Sequence, residues 1–306
     1  MRPGSPSPYQ AHRSYIAPAT RHNALHDLVI GIIAIELLYK ASIELLTLAI
    51  ALISPDSADA FAYGNTATGL LAQLASFALL GFWITLIARL RHRRGFASLT
   101  GALPHLLHDL PRAFIAVALV FAISEMIPPY HNAQSIAQIA PLPAWLAMLP
   151  LALAALLIQT GAEELLYRGY IQQQVAARWN TPWAWLILPN LLFAAAHWDG
   201  TSDLMGNALY MLWAFCFGLA ASDLTARSGT LGPAIGFHLA NNAYAFLFFA
   251  EQGGPDSGLA LLLFEPSDVA PGFGTTDDGL WALAPLLPEL GAVALIWLAA
   301  RLAIRR

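Results

Sequence analysis

A chain of 306 residues that is 58% hydrophobic and 11% charged, with a mean hydropathy of +0.58, lacks the polar surface to enclose a soluble core. Soluble domains carry about 25% charged residues, so the composition defines a polytopic membrane protein. The net charge of −4 and pI near 6.1 give no basic footprint for nucleic acid. The single cysteine, Cys216, excludes a disulfide framework and a cysteine-based metal cluster.

In chain order, residues 1–23 contain Pro3, Pro6, Pro8 and Pro18 and read as a disordered cytoplasmic tail. No apolar run follows Arg2 directly, as a signal peptide requires. Residues 24–306 read as one membrane-embedded helical domain. A spanning helix needs about 20 apolar residues, and eight segments qualify: Leu28–Ile53, Leu70–Leu90, Ala113–Ile127, Ala144–Ala162, Trp183–His197, Leu204–Leu224, Leu231–Ala250 and Leu280–Ala300. The third and fifth are short for a full crossing. Phe96–Pro111 reads as an interfacial segment with solvated His105 and His108, and Glu251–Gly279 as an irregular loop. No period-2 alternation suggests an outer-membrane barrel.

Arginine placement sets the expected orientation. With the N-terminus inside, 14 of the 15 basic residues fall on the cytoplasmic side, and the last, Lys40, lies within the first span. Asp56, Asp59, Asp199, Asp203, Glu251, Asp256, Glu265, Asp268, Asp277 and Asp278 fall on the opposite side. This asymmetry follows the positive-inside rule. The fold class is therefore an all-α transmembrane bundle of about eight spans, both termini cytoplasmic, in the plasma membrane.

Ionisable groups at membrane depth are costly and point to function. Glu36, Lys40 and Glu44 share one helix face at i, i+4, i+8 and read as an internally paired stripe turned to the bundle interior. Glu164 and Arg168, at i, i+4, can pair along one face. Glu163 is rotated about 100° away and is free to face something else. Phe193/His197 and His238/Asn242 are further i, i+4 pairs. A carboxylate with a histidine can activate water, and a second histidine with an asparagine can hold a developing oxyanion. The set Glu163, His197 and His238 could equally bind a divalent metal such as zinc, and spacing does not choose between the two. The plain alternative is a buried polar network in a transporter-like bundle.

Taken together, Glu163-Glu164-x-x-x-Arg168 (EExxxR), Phe193-x-x-x-His197 (FxxxH) and His238-x-x-x-Asn242 (HxxxN) resemble the CPBP family of intramembrane proteases, also called the type II CAAX prenyl endopeptidase or Abi family. The resemblance covers about residues 144–250. It implies an all-helical membrane fold and hydrolysis of a peptide bond in a short or membrane-associated substrate. It also implies that Glu163 and His197 activate water, that His238 and Asn242 hold the oxyanion, and that Glu164 and Arg168 orient the first pair. Other intramembrane protease patterns are missing: there is no HExxH, and Gly272-Phe273-Gly274-Thr275 lacks the aspartate of GxGD.

Two further functions compete with proteolysis. One is a non-enzymatic scaffold or immunity protein that retains the polar pocket. The other is a transporter that uses Glu36, Lys40 and Glu44 as an ion path. For the motif residues to meet at one depth, Trp179, Trp183 and Trp185 should mark the cytoplasmic interface. Pro189 should then kink or restart the fifth helix, with Asp199–Asp203 lining a cavity as irregular backbone.

Overall fold

A computed structural model describes residues 8–127, 136–198, 204–266 and 286–305. These residues form a helical bundle. Helix α1 (Gln10–Ile16) and a 3-10 turn precede α2 (Leu25–Ile53), α3 (Pro55–Tyr63), α4 (Ala67–His92), α5 (Phe96–Thr100) and α6 (Leu103–Ser124). Then follow α7 (Leu142–Glu164), α8 (Gln173–Arg178), α9 (Pro182–Ala195), α10 (Leu204–Ser228), α11 (Gly232–Leu247) and α12 (Leu286–Ile304). Five helical segments among the described residues are long and apolar enough to cross a membrane: Ala67–His92, Leu103–Ser124, Leu142–Arg178, Leu204–Ser228 and Leu286–Ile304. The protein is thus an integral, multi-pass membrane protein. Helix α2 has the length, at 29 residues, but Glu36, Lys40 and Glu44 lower its apolar character.

Several expectations change in the structure. Residues 10–21 are helical rather than a disordered tail, because His12, Tyr15 and Ile16 are buried against the bundle; residues 1–7 lie outside the described residues. The third span begins at Leu103, not Ala113. Pro104 sits in the first turn, where its missing N–H costs nothing, and the helix runs on through Pro111. The described part of the expected loop after α11 is not irregular throughout. Strands β2 (Phe249–Glu251) and β3 (Leu262–Phe264) join β1 (Ile136–Ile139) in a small sheet of order β1-β3-β2, with β3 antiparallel to β1 and parallel to β2. Asp199–Asp203 and the GFGT segment fall outside the described residues.

The stripe on α2 also differs. Its buried face is Leu28, Gly31 and Ile35, so Glu36, Lys40 and Glu44 turn outward and are exposed. No ion pair joins them among the described residues. Of the expected interfacial tryptophans, Trp183 is exposed, but Trp185 is core, packed on the rings of His12 at 4.4 Å and Tyr9 at 5.2 Å.

Helix α11 carries His238 and Asn242 and packs along α6 at close range. A Cβ on Gly236 would lie 2.2 Å from the Leu110 carbonyl oxygen, and one on Gly232, one turn earlier, 2.5 Å from the Leu106 carbonyl oxygen. Small residues four apart bring the two backbones together, as they do in membrane helix pairs generally. The larger apolar core surrounds the π-helical segment after α7, with Leu165, Tyr170, Phe193, Phe217 and Phe237 at its centre.

Candidate active site

The site is built where α7 changes its hydrogen-bond pattern. Helix α7 is regular to Glu164, continues as a π-helix over Leu165–Gln172, and runs into α8. Wide π turns of this kind occur often at functional sites, and this one carries Arg168.

Glu164 and Arg168 are fully buried, and Arg168 Nη1 donates to Glu164 Oε1 at 2.9 Å. Arg168 Nη2 donates to Asn190 Oδ1 on α9 and to the Gly218 carbonyl on α10, both at 3.1 Å. The guanidinium also lies over the Phe193 ring, 4.6 Å from its centroid. A buried charge persists only when paired and hydrogen-bonded, and here the pairing ties α7, α9 and α10 together. Asn190 in turn donates to the Leu186 carbonyl at 2.6 Å and Ser222 Oγ at 2.9 Å. Position 218 requires glycine, since a Cβ there would sit 2.4 Å from Asn190 Oδ1 and 3.1 Å from Arg168 Nη2.

His238 reaches both carboxylates. Its Nδ1 is 2.8 Å from Glu164 Oε1, and its Nε2 is 3.7 Å from Glu163 Oε2. Glu163 stands outside the ion pair, with its side chain 16% exposed against 0% for Glu164. Gln159, one turn earlier on α7, donates to Glu163 Oε1 at 2.6 Å and accepts from Asn242 Nδ2 at 2.9 Å. Asn242 Oδ1 accepts from Asn241 at 3.2 Å. The carboxylate is therefore fixed to α11 through one amide. Its Oε2 makes no hydrogen bond among the described residues.

His197 lies just beyond the end of α9, which stays helical through Pro189 rather than restarting there. Its Nδ1 donates to the Phe193 carbonyl at 2.7 Å. That bond fixes the tautomer of the neutral ring and leaves Nε2 as an acceptor. The ring tilts onto Phe193 at 4.4 Å, and Phe193 meets the His238 ring edge-on at 6.2 Å. No hydrogen bond joins His197 to Glu163 among the described residues.

Of the six residues chosen from the motifs, Glu163, Glu164, Arg168, His238 and Asn242 form one connected network, and His197 stands beside it across Phe193. Two members were not anticipated. Gln159 could have been found as the i−4 neighbour of Glu163 on a membrane helix. Asn190 could have been found as the amide within the apolar run of α9. Among the described residues no three His, Cys, Asp or Glu side chains are placed to hold a metal ion. His238 Nδ1 is engaged by Glu164 and His197 Nδ1 by the Phe193 carbonyl, which leaves Nε2 as the uncommitted nitrogen of each ring.

These features define a class: a polytopic helical membrane protein whose motif residues converge on a buried carboxylate–histidine–amide network. The family model described as type II CAAX prenyl endopeptidase Rce1-like matches residues 143–244. That segment holds all three motifs, so the family resemblance read from them is shown. The uncharacterized protein YyaK of Bacillus subtilis (strain 168) is 28% identical over 115 residues, 38% of this chain and 38% of its own. The chain thus spans about two-fifths of the length of the curated relative it matches. No solved structure matches the chain.

Proposed function

We propose that this protein is a membrane-embedded endopeptidase that hydrolyses a peptide bond in a short or membrane-associated peptide. The observation that carries the reading is the difference between adjacent carboxylates. Glu164 is buried and held by Arg168 and His238, whereas Glu163 keeps one oxygen on Gln159 and the other open toward the site. Glu164 is the anchor and Glu163 the base.

Glu163 Oε2, assisted by His197 Nε2, removes a proton from a water molecule, whose oxygen bonds to the carbonyl carbon of the peptide. The carbonyl π electrons move onto oxygen. An asparagine amide has two N–H donors, and Asn242 spends one on Gln159. The other stabilises the oxyanion, joined by His238 when its Nε2 as well as its Nδ1 carries a proton. Collapse of the tetrahedral intermediate breaks the C–N bond, and the proton held by Glu163 passes to the departing amine. Glu164, Arg168 and Gln159 act as positioning residues. About eight membrane passes with both termini and the arginine-rich loops in the cytoplasm, in the plasma membrane, complete the proposal; the charge asymmetry supports this orientation.

The test compares membranes containing wild-type protein with membranes containing Glu163→Ala at equal abundance, read by mass spectrometry of new peptide termini. Termini unique to wild type support proteolysis and identify substrates. Identical termini, from two folded and inserted proteins in the native host, favour the scaffold reading.

A further inference from the structure

Away from the site, a groove of about 470 Å³ runs between α6 and the end of α12. Its floor is apolar, formed by Ile115, Ala116 and Leu119 of α6 and Ala303 and Ile304 of α12, and its rim is His108, Arg112 and Arg305. On α6 the residues 108, 112, 115, 116 and 119 recur at helical spacing, so they form one continuous face. From His108 to Leu119 this face is about 16 Å long at 1.5 Å per residue. A cationic rim above an apolar channel of that length is complementary to one ligand chemistry, an anionic phosphate headgroup with its acyl chain.

Among the described residues the charges at the rim do not cancel. Arg112 Nη1 donates to the His108 carbonyl at 2.9 Å, and its other N–H groups make no hydrogen bond among the described residues. Neither Arg112 nor Arg305 pairs with a carboxylate among the described residues. Buried Asp109 turns its Oδ1 to His108 Nδ1 at 2.7 Å. The C-terminal end of α12 contributes about half a negative charge, less than either arginine. A second groove, between α9, α10 and α12, differs: its arginine neighbour, Arg227, is already held by Asp223 at 2.7 Å. Arg112 and Arg305 fall on the arginine-rich face, which the positive-inside rule turns to the cytoplasm, the leaflet that holds the anionic lipids.

We propose that the α6/α12 groove is a binding site for an anionic phospholipid, whose phosphate is held by Arg112 and Arg305 and whose acyl chain lies along Ile115, Ala116 and Leu119. Each basic group near the surface contributes about fivefold to anionic lipid affinity, so removing both costs about thirtyfold. The experiment is native mass spectrometry of the full-length protein from detergent, titrated with phosphatidylglycerol or phosphatidylcholine of the same acyl chains. Wild type should retain one phosphatidylglycerol at concentrations where phosphatidylcholine does not bind. Arg112→Gln combined with Arg305→Gln should weaken this about thirtyfold, and Ala116→Trp, which fills the channel, should weaken it with the charges intact. Arg93→Gln, an exposed arginine elsewhere, should bind as wild type. Equal retention of the two lipids, or undiminished phosphatidylglycerol binding by the double variant and by Ala116→Trp, overturns the proposal.

Discussion

Replacing Arg168 with leucine removes the cation from a pair in which both partners are fully buried. Glu164 then keeps only the His238 contact, and Asn190 Oδ1 and the Gly218 carbonyl each lose a donor. Breaking a buried ion pair from one side costs about 3–5 kcal/mol, because the remaining charge is left uncompensated. A loss of about 4 kcal/mol is expected. With an unfolding entropy of about 2.1 cal/mol/K per residue, this lowers the Tm of the whole chain by about 6 °C. Neutralising the stranded charge should recover much of the loss, so Arg168→Leu combined with Glu164→Gln should melt several degrees above Arg168→Leu alone. Thermal unfolding in one detergent, followed by circular dichroism, measures all three proteins. If the single and double variants melt together, stranded charge is not the source of the loss, and the account of Arg168 fails.

Three further outcomes follow from named contacts. Gly218→Ala forces a Cβ to within 2.4 Å of Asn190 Oδ1; it should destabilise by about 2 kcal/mol, and a variant with unchanged Tm would contradict the close approach. Gln159→Leu, which releases both Glu163 and Asn242, should slow peptide release about tenfold or more at unchanged expression, with Gln159→Glu failing to rescue; quantifying new termini over time tests this, and full activity would remove Gln159 from the site. His12 is buried outside the membrane spans, and burial lowers its pKa from 6.5 to about 4. The unfolded chain therefore binds the proton more readily between these values, so stability is full above pH 6.5 and falls as pH drops toward 4. By pH 5 the loss is about 2 kcal/mol, and His12→Phe should melt with a smaller drop between pH 7 and pH 5; an identical drop in the variant would assign the pH dependence elsewhere.

The helical membrane architecture was legible because composition and long apolar runs report burial in lipid directly. The site was legible in part for a related reason: Glu163, Glu164, Arg168, His238 and Asn242 stand out as polar groups on apolar helices, and their i, i+4 spacings survive in the fold. Other features depend on partners that spacing does not reveal. Phe96–Pro111 reads as an interfacial segment, yet α6 starts at Leu103 and runs through Pro111 into the span. Residues 1–23, with four prolines, read as disordered, yet His12 and Tyr15 find a buried niche beside Trp185 and Leu99. The Glu36–Lys40–Glu44 face reads as inward and paired because charge in a membrane is costly, but Leu28, Gly31 and Ile35 win the contact with the bundle. Gln159 and Asn190 escaped notice because an amide is unremarkable until the carboxylate and guanidinium it binds are in place.

In the proposed reaction adjacent glutamates divide the work, with Glu163 acting on water and Glu164 holding the scaffold. The most direct measurement places Glu163→Gln and Glu164→Gln side by side, following both new peptide termini in native membranes and Tm in detergent. Glu163→Gln should melt close to wild type yet produce none of the wild-type termini, while Glu164→Gln should lose both stability and termini. Wild-type termini from folded Glu163→Gln would contradict this division.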